Sequence, residues 1–109
     1  MNTKINKFFN FKNKVVLITG SNGIIGKQLC NFYLDQEAFV FGIDTKKKLI
    51  KIKNYQHFQG DAANENFLLK KINFIVKKKS KIDIILNCAG IQFFTHFEKR
   101  TKKERRKND

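Results

Sequence analysis

Gly20, Gly23 and Gly26 recur at every third position between the apolar run Lys14–Thr19 and a stretch of helical periodicity. A glycine-rich turn that leaves a strand and opens a helix is suited to holding phosphates. Gly20 permits the tight turn, and Gly23 leaves no side chain where backbone must approach a pyrophosphate. Gly26 lets the helix pack close to the sheet. The helix N-terminus offers unpaired N–H groups and partial positive charge, with Ser21, Asn22 and Ile25 in the same phosphate-side segment. Asp44 ends the next apolar run, Phe39–Asp44, about twenty residues beyond the glycines. An acid there accepts hydrogen bonds from adenosine ribose hydroxyls and repels a 2′-phosphate, so NAD is favoured over NADP. Lys46, Lys47 and Lys48 keep NADP open as the alternative. The plainer alternatives are an ordinary glycine turn and a solvated strand end.

These residues need a frame. Lys14–Thr19 is short, apolar and β-branched, which predicts a strand buried on both faces. Ile25, Leu29, Phe32 and Tyr33 follow at helical spacing and predict one apolar helix face through about Leu34. Phe39–Asp44 is a second strand, completing a βαβ unit. The lysine-rich Thr45–Tyr55 is too short for much of a helix. Gln56–Gln59 is a short third strand, followed by Gly60-Asp61. Asn64 caps a second helix with Leu68, Ile72, Ile75 and Val76 as its buried stripe and Lys77–Lys79 at its C-terminal end. Ile82–Asn87 is a fourth strand. The alternation predicts an α/β doubly wound parallel sheet over residues 12–92. Residues 1–11 form a lead-in, and 93–109 a charged, disordered or frame-disrupted tail.

Phe11–Gly20 resembles the lead-in and first strand of the short-chain dehydrogenase/reductase family. Asn13 stands in for the usual turn glycine, which Asn's access to the left-handed region permits. Asp61-Ala62 resembles the acidic site after the third strand that contacts adenine. Asn87-Cys88-Ala89-Gly90 is similar to the Asn-Asn-Ala-Gly signature after the fourth strand. The resemblance implies a partial NAD(P)-binding Rossmann fold with strand order 3-2-1-4. It implies room for the cofactor at Ala89 and Gly90, and Asn87 tying neighbouring backbone together. The glycine spacing resembles the extended, sugar-nucleotide branch and Asn-x-Ala-Gly the single-domain branch, so both stay open. Glu37-Ala38 replaces the usual Gly-Ala, a strained turn if it needs positive φ.

The family reaction, hydride transfer between a nicotinamide cofactor and an alcohol, carbonyl or nucleotide-sugar substrate, uses a serine and a Tyr-x-x-x-Lys pair. Tyr33 and Tyr55 are followed four residues on by Glu37 and Gln59, so no catalytic residue is assigned. Phe97–Glu104 resembles the approach to the fifth helix, and Arg105–Asp109 departs from it. The expectation is a gene fragment or frameshifted copy that binds the oxidoreductase cofactor without turnover. Its fourth strand would be an open apolar edge prone to self-association. A non-catalytic nucleotide-binding or interaction module is the alternative.

The net charge of +14 and pI of about 10.0 raise nucleic-acid association as a further, weaker alternative. Lysine is spread through the whole chain, arginine is confined to the tail, and no recognition motif accompanies the charge. Cys30, Cys88, His57 and His96 lack zinc-site spacing, so no metal is expected. The absence of a signal sequence or spanning run predicts a soluble cytoplasmic protein without membrane contact.

Overall fold

A computed structural model of the chain describes residues 10–89. Six elements follow in order: β1 (Val15–Thr19), α1 (Ile24–Asp35), β2 (Phe39–Asp44), β3 (Tyr55–Gln59), α2 (Glu65–Lys79) and β4 (Ile84–Asn87). The strands form one parallel sheet in the order β3-β2-β1-β4. Thr19 and Asp44, far apart in sequence, therefore end adjacent strands, and β4 approaches β1 from the other side. Gly90 and the tail lie outside the described residues.

The alternation of side chains along a strand divides the core into two layers. Val16, Ile18 and Val40 join Cys30, Leu34, Ile50, Tyr55 and Cys88 on one face. Val15, Leu17, Phe41 and Ile43 join Phe58 and Ile75 on the other, with Leu68 and Ile72 packed against them. All five β1 residues are buried, as a central parallel strand requires. Between β2 and β3 the chain forms no helix, and Ile50 alone is buried from that connection.

The helices turn inward most of the predicted stripe, with Leu29, Tyr33, Leu68, Ile72 and Ile75 against the core, but Ile25, Phe32 and Val76 lie outside it. On α1 the buried positions are Gly26, Cys30 and Leu34. Ile25 and Phe32 are 39% and 37% exposed, while Leu29 and Tyr33 are partly covered. The cause is Gly26: an added Cβ there would overlap the Gly20 carbonyl, so this face must lie against the turn. Phe32 instead makes edge contacts with Phe11 and Tyr33 at centroid distances of 5.9 and 5.1 Å. On α2, Ile75 is wholly buried, but Val76 is exposed. As expected, the Asn64 side chain accepts from the Phe67 N–H, capping α2.

Among the described residues no helix is long and apolar enough to cross a membrane. Both cysteines are free and buried. Burial pushes the Cys30 thiol up to about 12, with Cys88 nearby adding to it, so Cys30 belongs to the core and is no nucleophile.

Candidate functional site

The C-terminal ends of β1, β2 and β3 open into a cleft of about 480 Å³. Its walls are Gly20, Asn22, Gly23 and Ile24 from the turn, Ile43 to Lys46 from β2 and its exit, Gly60 to Ala62 after β3, and Ala89 after β4. Ligands of open α/β sheets bind where strand order reverses, and this cleft straddles β1 and its two neighbours.

The turn is anchored on both sides. Gly20 N–H donates to the Ile43 carbonyl at 2.7 Å, and Gly23 N–H to the Gly20 carbonyl at 3.1 Å. Gly20 has φ +71°, and a Cβ there would lie 2.6 Å from the Ala89 nitrogen. Only glycine satisfies both the left-handed backbone and that approach. Gly26 packs against the turn itself, a closer role than spacing the helix from the sheet. The α1 N-cap, Gly23, makes no side-chain cap bond and the first turn holds no acid. The positive end of the helix is therefore left to the cleft.

Asp44 sits on the rim with its carboxylate already engaged. Its Oδ2 accepts the Asn22 N–H at 3.1 Å and its Oδ1 the Lys46 N–H at 3.0 Å. Each carboxylate oxygen has a further lone pair for a ligand hydroxyl. Asn22 Nδ2 donates to the Lys47 carbonyl at 2.6 Å, whereas Asn22 Oδ1 is buried without a partner among the described residues. Asp61 Oδ1 accepts the Ala63 N–H at 2.9 Å, shaping the far wall.

Not every sequence-predicted residue lines the cleft. Gly20, Asn22, Gly23, Asp44, Asp61, Ala62 and Ala89 do. Ser21 is wholly buried beneath it, 3.0 Å from the Tyr55 hydroxyl. Ile25 faces away, and its neighbour Ile24, 81% exposed, takes the wall position. The Asn87 Oδ1 accepts from the Thr19 hydroxyl at 2.7 Å, bracing the ends of β1 and β4. Lys46, weighed in the sequence as a cation beside Asp44, lies on the rim, and Thr45 joins it there without a signal of its own. Tyr55 and His57, on the third strand and outside any local motif, reach Ser21 in the turn and the Lys46 carbonyl after β2 by hydrogen bonds.

The short chain dehydrogenase family matches residues 14–108, most of the chain. The chain belongs to that family. The chain is 33% identical over 89 residues to the 3-oxoacyl-(acyl-carrier-protein) reductase FabG of Buchnera aphidicola, covering 76% of this chain and 36% of the relative. It is 30% identical over 91 residues to an NAD-dependent glycerol dehydrogenase of Listeria innocua, covering 78% and 36% respectively. A solved short chain dehydrogenase of Leptospira borgpetersenii with bound NAD+ superposes with a TM-score of 0.65 at 28% identity, covering 72% of this chain and 32% of that one. The chain thus spans about a third of the length of the relatives it matches.

The cleft's residues fit a dinucleotide. Gly20 and Gly26 let the turn close tightly against Ala89 and the start of α1, the uncapped helix start borders the cleft, and the Asp44 carboxylate on the rim keeps lone pairs for hydroxyl donors.

Proposed function

We propose that this cleft binds a nicotinamide dinucleotide, NAD in preference to NADP, as the cofactor-binding part of an oxidoreductase. The observation that carries the reading is the Asp44 carboxylate fixed on the rim beside the uncapped start of α1. In this reading the α1 N-terminus takes the pyrophosphate, Asp44 the adenosine ribose, and Asp61-Ala62 the adenine side. A fixed negative charge opposes a 2′-phosphate at close range. The NAD+ in the Leptospira structure and the name of the Listeria relative support the same preference.

The nicotinamide ring, when bound, supplies or accepts hydride in exchange with an alcohol or carbonyl compound. Within these 109 residues neither tyrosine has a lysine four positions on, so the reading assigns them cofactor binding without turnover of their own. Two unpaired buried cysteines suit a reducing compartment, the cytoplasm.

The test is calorimetric titration of the full chain with NAD and with NADP. NAD should bind about tenfold more tightly. Asp44→Asn keeps an acceptor but removes the charge, and should narrow that ratio to within about threefold. Equal binding of the two nucleotides by the unsubstituted chain, or indifference to Asp44→Asn, would reject the reading.

A further inference from the structure

Ser21 lies in the phosphate-side turn but points away from the cleft, wholly buried. Its Oγ is 3.0 Å from the Tyr55 hydroxyl, which must cross β2 to reach it. The crossing point is Gly42, paired in register with His57. A Cβ on Gly42 would overlap the Tyr55 hydroxyl and lie 2.6 Å from Ser21 Oγ. The missing side chain is therefore the passage between third strand and turn.

The Tyr55 hydroxyl is also 2.8 Å from His57 Nδ1, and His57 Nε2 is 2.9 Å from the Lys46 carbonyl. A carbonyl only accepts, so Nε2 carries a proton. The neutral ring's Nδ1 then accepts the Tyr55 proton, and the rotatable Ser21 hydroxyl donates to the Tyr55 oxygen, so the chain closes with every group satisfied. Lys46 N–H in turn binds Asp44, and Asp44 binds Asn22 N–H, next to Ser21. The bonds form a ring: Ser21, Tyr55, His57, Lys46, Asp44, Asn22. Half of it borders the cleft and half lies behind it.

We propose that Tyr55 and His57 are positioning residues for the cofactor: they lock the glycine-rich turn and the rim loop after β2 at the separation the dinucleotide requires. The inference rests on the reading of the cleft as a dinucleotide site. Its physical basis is preorganisation. A turn and a loop held in place before binding lose less conformational freedom when the ligand arrives.

The experiment compares the unsubstituted full chain with Tyr55→Phe, His57→Phe and His57→Gln, by NAD titration and by amide exchange at Asn22 and Lys46. Glutamine can offer one acceptor and one donor at nearly the spacing of the imidazole nitrogens, whereas phenylalanine offers neither. Tyr55→Phe and His57→Phe should weaken NAD binding about five- to tenfold and speed exchange at both amides. His57→Gln should restore binding to within about twofold. If Tyr55→Phe fails to fold, the two His57 variants carry the test. NAD affinity unchanged in His57→Phe would overturn the proposal and leave the cofactor reading intact. His57→Gln as weak as His57→Phe would also overturn it, reducing His57 to packing. If NAD fails to bind the unsubstituted chain but exchange still rises in His57→Phe and recovers in His57→Gln, the cofactor reading falls and the lock stands. No binding and no change in exchange would overturn both.

Discussion

At the scale of single residues, Asn13, Glu37 and Ser80 occupy backbone that favours glycine. Asn13 has φ 63° and Glu37 has φ 64°. The two positions meet, since Asn13 N–H donates to the Glu37 carbonyl at 3.1 Å where the chain leaves α1 for β2. Asparagine enters this region readily, but glutamate does so against the clash of its Cβ with backbone, a cost of roughly 1–2 kcal/mol. Little offsets it: Glu37 pairs with Lys12 at 3.8 Å between two exposed side chains, and exposed pairs contribute little. Replacing Glu37 by glycine should therefore stabilise the fold by about 1 kcal/mol, the relief of strain exceeding the added freedom of the unfolded chain. Urea denaturation would show this as a higher midpoint at unchanged slope. A lower midpoint would mean that the turn tolerates glutamate without strain. Both positions were legible as departures from an expected glycine, because a tight turn into a buried strand has few solutions.

At the scale of elements, β4 is fastened to β1 at both ends. Thr19 and Asn87 join the C-terminal ends. At the other end Val15 N–H donates to Asp83 Oδ2 at 2.8 Å, Asp83 N–H donates to the Val15 carbonyl at 2.8 Å, and Lys81 lies 3.1 Å from the same carboxylate. The Val15 N–H, and after it Lys81, holds the Asp83 carboxyl below the usual carboxylate range. A carboxyl with a lowered folded pKa stabilises the fold above its unfolded pKa, about 3.9. That contribution fades as pH falls through the folded value. Asp83→Asn should thus be less stable than the unsubstituted chain at pH 7, and the difference should shrink steadily below about pH 4. Urea melts at neutral and acid pH would measure it; a difference independent of pH would show that the side-chain contact matters and its charge does not. The strands themselves were legible, since buried parallel strands are short apolar runs. The helix faces were less so. Small residues such as Gly26 and Cys30 mark the closest approach, yet they carry little weight in a pattern built on large apolar side chains.

At the scale of the whole molecule, the topology was legible because alternating strands and helices admit few arrangements. The ring through Tyr55 and His57 was not, since it joins residues 34 apart in sequence through the gap at Gly42. Part of the basic excess has a structural use: Lys79 lies 3.4 Å above the Phe39 ring, and Lys71 flanks Phe58 and Phe67. The sheet is unevenly covered. β4 pairs with β1 alone among the described residues, and Ile85 on it is 56% exposed. It borders a hollow of about 510 Å³ walled mainly by apolar groups, Leu17, Leu68 and Ile72 among them. An edge strand with an apolar neighbour surface is a template for a second copy of the same chain, because backbone pairing and burial then act together. The 109-residue chain prepared by itself should accordingly associate with rising concentration in analytical ultracentrifugation. Ile85→Lys puts a charge on that edge while leaving the four β1–β4 register pairs in place, and should return the chain to monomer with its circular dichroism unchanged. A chain that stays monomeric at every concentration before any substitution would mean that the β4 edge is no meeting surface.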